Sequence, residues 1–380
     1  MKGFDPNCRR FVRGKGNVLV DARGNDVYDA VSSIWTIVHG HCHPAIVDAI
    51  SQQAATLDHS TLLGATNPVA EELAERLCAL TAMDRAFFAS DGASAIEAAV
   101  KMALQYWQNS GQPQRTRFVR LTEAYHGDTS AAMSLSDIAA FKSRFSAITF
   151  ETHAFDAPDR ILDRDVAAVF VEPLVQAAAG MKLVPPSAYE PLAAIEPLLV
   201  VDEIATGFGR TGTMFAFEQL GLRPDAVCVG KGLTGGALAL SATLVRERVY
   251  EAFLGEYAGG VHFFHGHSYA GNPIACAAAL ASLRLFEEEA TLRRAHSIAA
   301  AIERRTAALN VHPLVHEIRR AGTMTGIELR TGARDVVNQL YDRGHFTRPI
   351  GNTVQFVPPL SSTDAEVDGF FDALEASLPA

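Results

Sequence analysis

The stretch "VVDEIATGFGRTG", Val200–Gly212, starts as an apolar run and turns at once into two acids, Asp202 and Glu203. A loop with three glycines and Arg210 follows. Leu198 and Leu199 extend the run upstream, so a buried strand delivers carboxylates to its end. A charge in that place is costly unless it is paired or used. The stretch "VCVGKGLTGG", Val227–Gly236, has the same form and ends its apolar run in Lys231, between Gly230 and Gly232. Asp202 and Lys231 are about 30 residues apart, the size of a strand–crossover–strand unit.

Working outward, strand patterns lie at Ala86–Ala89, Phe118–Leu121, Ala167–Val171, Leu198–Val201, Ala226–Val229 and Leu240–Val245. Most are continuous apolar runs, the mark of strands covered on both faces. Helical patterns over Ser94–Trp107, Pro186–Ile195 and Pro273–Glu288 alternate with them. The expected fold class is α/β with a mainly parallel sheet flanked by helices. Ligands of such sheets bind beyond the carboxyl ends of the strands, where Asp202 and Lys231 sit. The last hundred residues differ. Thr291–Leu309 reads as a surface helix, Met324–Leu329 and Thr353–Val357 as strands, and Thr363 with Glu366 as a capping box opening a helix through Leu378. The expected division is a large domain over residues 45–285 and a smaller α+β domain built from residues 1–44 and 286–380.

With 380 residues the chain exceeds one small core. Its net charge of −10 argues against a protein that tracks nucleic-acid phosphates. Five scattered cysteines without a C-x-x-C pair indicate neither a disulfide framework nor a cysteine zinc site, and reduced thiols fit a cytoplasmic protein. The N-terminus lacks the apolar core of a signal peptide. The longest small-apolar run, Ile274–Leu283, is too short to cross a bilayer.

A lysine at the mouth of a buried strand loses solvation, which lowers its pKa and makes it a nucleophile. Paired with an acid, it suits pyridoxal phosphate: the lysine bonds the cofactor as a Schiff base and the acid holds the pyridinium nitrogen. A plain salt bridge between Asp202 and Lys231 is the alternative. In "ASDGASAIEAA", Ala89–Ala99, a strand runs into a helix whose free first-turn amides suit a phosphate. Ser94 with Glu97 reads there as a capping box, and an ordinary capped helix would look the same. Tyr125, in "AYHGDTSAAMS", follows a strand and could stack on a flat ring or pack as a core tyrosine. His39, His41 and His43 alternate in "HGHCHP", a possible metal site on a strand face, and so do His262, His265 and His267. Gly266–Ala270 nearly matches the G-x-S-x-G elbow of a serine hydrolase using Ser268, but the last glycine is missing.

Together these segments resemble the class III, fold-type I aminotransferases that use pyridoxal phosphate. The resemblance is carried by "KMALQYW" (Lys101–Trp107), "YHGDT" (Tyr125–Thr129), "VEPLVQAAAGM" (Val171–Met181), "DEIATGFGRTG" (Asp202–Gly212), "GKGLTGGALALSATL" (Gly230–Leu244), "HGHSYAGNPIACAAALASL" (His265–Leu283) and "RPIGNTVQFVPP" (Arg348–Pro359). Within the class the likeness is to the branch of biotin synthesis in which S-adenosylmethionine aminates 8-amino-7-oxononanoate. It implies that Lys231 holds the cofactor and shuttles the proton, and that Asp202 pairs with the ring nitrogen. Gly92 and Ala93 would offer amides to the phosphate. Tyr125 would lie against cofactor and substrate. His267 and Ser268 would reach the phosphate of the neighbouring subunit, which implies a homodimer with shared active sites. Gly266 would border the substrate, and Arg348 would fork onto the carboxylate of the keto acid, a geometry lysine cannot copy.

Some positions depart from the pattern. Ile34-Trp35 stands where the family carries two adjacent tryptophans, and both fall at the substrate. Ser268 replaces a threonine, His267 a proline, and Ala93 a serine. An N-terminal His-Pro-Tyr signature is absent, and the chain is short between Ile195 and Leu198. The runner-up expectation is another class III ω-amino-acid transaminase with a different donor; a non-catalytic cofactor-binding module is a further one.

Overall fold

The structure, a computed structural model, describes residues 8–155 and 164–378. Its centre is a seven-stranded sheet in the order Arg85–Ala89, Ser241–Val245, Ala226–Val229, Leu198–Asp202, Val166–Val171, Arg117–Leu121, His153–Phe155. Ser241–Val245 runs against both its neighbours, and the other six strands are parallel. Every residue of the three central strands is buried, which is why they read as unbroken apolar runs. The pleat divides those residues between two cores. Leu199, Val201, Val227 and Val229 pack with the helices Pro68–Thr81 and Pro273–Glu288. Leu198, Val200, Phe170 and Cys228 pack with the helix Gly92–Asn109 on the other face. Truncating a side chain such as the fully buried Phe170 to alanine would cost about 3–5 kcal/mol.

Some local expectations are corrected. Pro186–Ile195 is not one helix but two short 3-10 turns, Pro186–Ala188 and Glu190–Ala194. Pro191 lacks the amide that a continuous α-helix would need. The helix at Gly92 is capped by Asp91, not by Ser94: Asp91 Oδ1 accepts from the Ser94 amide at 2.9 Å. Glu97 instead accepts from the Ala131 amide at 2.7 Å. The strand His153–Phe155 was not expected; three residues are too few to show a period.

The two ends of the chain meet in a four-stranded sheet of Phe11–Lys15, Val18–Asp21, Asp26–Asp29 and His345–Phe346. A second four-stranded sheet holds Val315–Ala321, Met324–Leu329, Thr353–Phe356 and Pro349–Ile350. The helix Asp364–Glu375 opens on the Thr363–Glu366 capping box, and Thr291–Leu309 buries Ala295, Ile298 and Ile302 while its opposite face stays exposed.

Between the large sheet and these smaller ones lies an unusual turn. Ser32, Ser33, Ile34 and Trp35 all have positive φ, at 49°, 46°, 67° and 67°. Each non-glycine residue in that region costs roughly 1–2 kcal/mol. Buried polar groups hold the turn in place. Asp29 accepts from the Ser33 amide at 3.0 Å and from the Ser33 hydroxyl at 2.8 Å, and also meets His41 Nε2 at 2.9 Å. Arg210, fully buried, donates to the carbonyls of Pro358 at 2.6 Å and Ile37 at 2.8 Å, and to that of Trp35 at 3.3 Å. Burial brings the Arg210 guanidinium down to about 10, and the nearby Asp29 opposes that fall. Strain of this kind persists only where surrounding contacts over-determine it.

Candidate active site

Register places the chemistry. Val201 lies abreast of Val171 on one side and Val227 on the other, and Asp202 abreast of Cys228. The next residue after Val171 is Glu172, so two acids stand side by side where adjacent strands end. Lys231 follows on the third strand, after Gly230, with a positive φ of 40°. The opening pair of acids divides between faces. Asp202 faces the site, and Glu203 turns into the core, where it accepts from the Thr206 hydroxyl and the Phe217 amide, both at 2.7 Å. Burial pushes the Glu203 carboxyl up to about 7. Glu203 is an anchor for the glycine loop.

Asp202 accepts from His126 Nδ1 at 2.7 Å and from the Ile204 amide at 3.0 Å. The carboxylate can only accept, so Nδ1 carries the proton. His126 Nε2 is buried without a partner. Glu172 accepts from the Tyr125 amide at 2.9 Å. Burial, followed by the neighbouring charge of Asp202, raises its carboxyl well above the usual range. Lys231 is lowered by desolvation, while Asp202 and Glu172 oppose the fall. Its Nζ lies 5.4 Å from the centre of the Trp35 ring. Among the described residues Lys231 makes no ion pair, so the plain salt bridge to Asp202 is not formed.

These groups open onto a cavity of about 660 Å³ lined also by Trp35, Gly92, Ala93, Tyr125 and Ile204. That volume suits a small-molecule site. Gly92 and Ala93 are the first two residues of their helix, and their amides have no intrahelical acceptor. Two glycines keep this corner open. A Cβ on Gly127, whose φ is +129°, would come within 2.7 Å of the Ala93 side chain, and one on Gly92 within 2.8 Å of Ile204. Tyr125 packs edge-on to Phe141 with ring centres 5.5 Å apart, and burial raises its phenol, with Asp128 adding to the rise.

The expected site residues fall into two groups. Lys231, Asp202, Tyr125, Gly92, Ala93 and Trp35 share the cavity. Ile34, Gly266, His267, Ser268 and Arg348 do not line it within one chain, and all five are exposed. His267 lies 3.3 Å from the hydroxyl of Ser90, itself a lining residue. Ser268 hydrogen-bonds to no histidine among the described residues, so the hydrolase reading finds no base. His39, His41 and His43 go to three different partners, Ser282, Asp29 and Glu289, rather than to a common centre. Sequence reading missed His126, inside "YHGDT", and Glu172, which ends an apolar run as Asp202 does.

A lysine with lowered basicity, a buried acid on a parallel strand end and free helix amides form the set expected of a Schiff-base enzyme, and comparison with known proteins agrees. The family model described as "Aminotransferase class-III" matches residues 3–378. The adenosylmethionine-8-amino-7-oxononanoate aminotransferase of Aquifex aeolicus is 38% identical, across 97% of this chain and 91% of that one. The crystal structure of the enzyme of that name from Methanocaldococcus jannaschii superposes with a TM-score of 0.92 at 35% identity, covering 97% of this chain and 93% of that one. An amine transaminase from an uncultivated Pseudomonas species, in its PLP-bound form, gives a TM-score of 0.92 at 30% identity, covering 98% and 94%. With the family matched along nearly the whole sequence, and with the strand-end acids and lysine where such a site would have them, this chain belongs to the class III aminotransferases.

Proposed function

We propose that this chain is a pyridoxal-phosphate-dependent aminotransferase of biotin synthesis. It transfers an amino group from S-adenosylmethionine to 8-amino-7-oxononanoate, giving 7,8-diaminononanoate. The observation that carries the reading is the row of Glu172, Asp202 and Lys231 at one sheet edge, facing the free amides of Gly92 and Ala93 across one cavity. The kinship to relatives bearing that enzyme's name supports the substrates.

The residues present fit the cofactor. Lys231 Nζ would hold it covalently, Asp202 would hold its ring nitrogen, and the Gly92 and Ala93 amides its phosphate. Tyr125 and Ile204 offer an aromatic and an aliphatic face to a flat ring. When bound, the cofactor supplies the electron sink for the carbanion left as the amino-bearing carbon loses its proton. The chain provides the rest. Lys231, made less basic by burial, takes that proton at Nζ and returns it. His126 and the Ile204 amide fix both carboxylate oxygens of Asp202, which would hold the ring nitrogen. Glu172, whose carboxyl burial raises above the ordinary range, fixes the Tyr125 backbone. Arg348 would bind the acceptor's carboxylate, and Trp35 would cover the substrate with Ile34 beside it.

The same reading includes a homodimer in which Gly266, His267 and Ser268 complete the partner's site. Phe264 and Tyr269, flanking them, are 64% and 65% exposed, a large apolar surface for a second copy to cover. It also keeps the division at residues 44/45 and 285/286 and a cytoplasmic setting. Among the described residues no helix is long and apolar enough to cross a membrane.

The test is a half-reaction. S-adenosylmethionine added to the cofactor-loaded enzyme should remove the visible cofactor absorbance, and 8-amino-7-oxononanoate should restore it with release of 7,8-diaminononanoate. Turnover of that acceptor only with another amine would assign a different donor. No amination of it with any donor would overturn the reading.

A further inference from the structure

We propose that Gln355 is a positioning residue that ties the aromatic wall of the substrate site to the arginine at its far end, a proposal that rests on the transaminase reading of Trp35 and Arg348. Gln355 lies on the strand Thr353–Phe356 and is only 4% exposed. Its Oε1 accepts from Trp35 Nε1 at 3.0 Å, and its Nε2 donates to the carbonyl of Arg348 at 3.1 Å. The indole can only donate and the carbonyl can only accept, so the orientation of this amide is determined. The main chain of Gln355 adds to the tie: its amide donates to the same Arg348 carbonyl at a longer 3.4 Å, and its carbonyl accepts from the Thr347 hydroxyl at 2.5 Å.

Each partner needs such a constraint. Trp35 ends the left-handed turn, and its indole N–H is the ring's one polar handle, so the bond to Gln355 selects the rotamer that lays the ring near Lys231. Arg348 is exposed, and its side chain makes no hydrogen bond or ion pair among the described residues. Its reach is therefore set where its main chain is held. The buried side-chain amide thus makes the shorter bond to Arg348 and the only one to the Trp35 ring among the described residues, and so joins the starting points of both side chains and sets the span between the reacting end and the carboxylate end of a long substrate. Trp35 and Gln355 are 320 residues apart in sequence, and no local pattern links them.

The test uses Gln355→Leu, which removes both side-chain bonds, and Gln355→Glu. The chain has only two tryptophans. The other, Trp107, is bonded to the Ala167 carbonyl outside the site, so a change in emission reports Trp35. In the cofactor-free protein Gln355→Leu should shift the tryptophan emission and raise quenching by acrylamide about twofold. In the loaded enzyme it should raise the keto-acid KM about tenfold, the worth of one buried hydrogen bond, with kcat changed far less. Gln355→Glu can make both bonds only while its carboxyl is protonated. Its keto-acid KM should match the parent at low pH and climb toward the leucine value as pH rises. Unchanged emission in the leucine variant, or a pH-independent KM in the glutamate variant, overturns the proposal. Should Gln355→Leu not accumulate folded, Gln355→Met carries the same reading. The emission result stands even if the enzyme proves to use other substrates, so failure of the positioning role and failure of the assigned reaction are told apart.

Discussion

The carboxyl edge of the large sheet and the turn Ser32–Trp35 face one cavity, yet they are built by opposite means. At the sheet edge, Glu172 and Asp202 are carried by strands in ordinary extended geometry, and hydrogen-bonded register alone sets them side by side. At the turn, four residues stand in a region their side chains disfavour, and they are held there by Asp29, four residues before Ser33, and by Arg210, far away in sequence. On the proposed reading the two acids of the reaction rest on the sheet's hydrogen-bonded register, and only Lys231, just past its strand, takes a positive φ. The proposed substrate wall rests on stored strain, which a few substitutions can release. The difference suggests that specificity in this scaffold changes more readily than mechanism.

Substitutions at the edge should strike activity and spare the fold. Lys231→Ala should reduce transamination to background, since it removes both the covalent anchor and the proton carrier. Steady-state assay with a circular-dichroism spectrum of native shape would establish it; near-normal turnover would refute the lysine's role. Asp202→Asn keeps an acceptor for the Ile204 amide but loses the charge. A rate loss of about 10²–10³ in the donor half-reaction is expected, the usual effect of removing a preorganised charge. An unchanged rate would make Asp202 a structural acid.

Behind the turn the expected effects are on stability. Burial lowers His39 to about 4, so the folded protein binds its proton more weakly than the unfolded chain does. The stability it contributes is complete above about pH 6.5, its ordinary value, and is lost as pH falls toward 4. Urea midpoints across that window should drop, by an amount on the order of 2 kcal/mol, and His39→Gln should flatten the slope. An identical slope in the variant would assign the effect elsewhere. The smallest effect belongs to the turn itself. Ile34→Gly relieves roughly 1–2 kcal/mol of left-handed strain but adds about 0.4–1 kcal/mol of unfolded-chain entropy. A net gain of about 0.5 kcal/mol should appear in the denaturation midpoint, and Ile34→Ala should show none. Loss of stability in the glycine variant would mean that the turn is held without strain.

The contrast also explains what could be read in the sequence. Asp202 and Lys231 are legible because an apolar run that ends in a charge is a local pattern with a physical cost attached. Glu172 ends Val166–Val171 by the same pattern, but without the glycines that flank Lys231 or the glycine-rich loop that follows Asp202. The cradle at Gly92 is legible as a strand running into a helix, though the cap is Asp91 rather than Ser94. The turn is not legible at all. A β-branched residue such as Ile34 argues against positive φ, and although Asp29 is close by, nothing in the pattern marks it or the distant Arg210 as supports of the turn. Trp35 likewise gives no hint that its ring bonds to Gln355.

The split between Asp202 and Glu203 has a consequence for how this chain can change length over evolution. Alternate residues of a strand point to opposite faces, so deleting one residue from Leu198–Val201 would move Glu203 into the place of Asp202 and Asp202 into the core-facing place of Val201. The longer Glu203 would enter the cavity, away from the Thr206 and Phe217 groups that it now meets. Insertions and deletions are therefore forbidden inside this strand. The connection ahead of it, residues 195–197, can change length without moving either acid, but losing Glu196 would remove the 2.6 Å ion pair it makes with the buried Arg115.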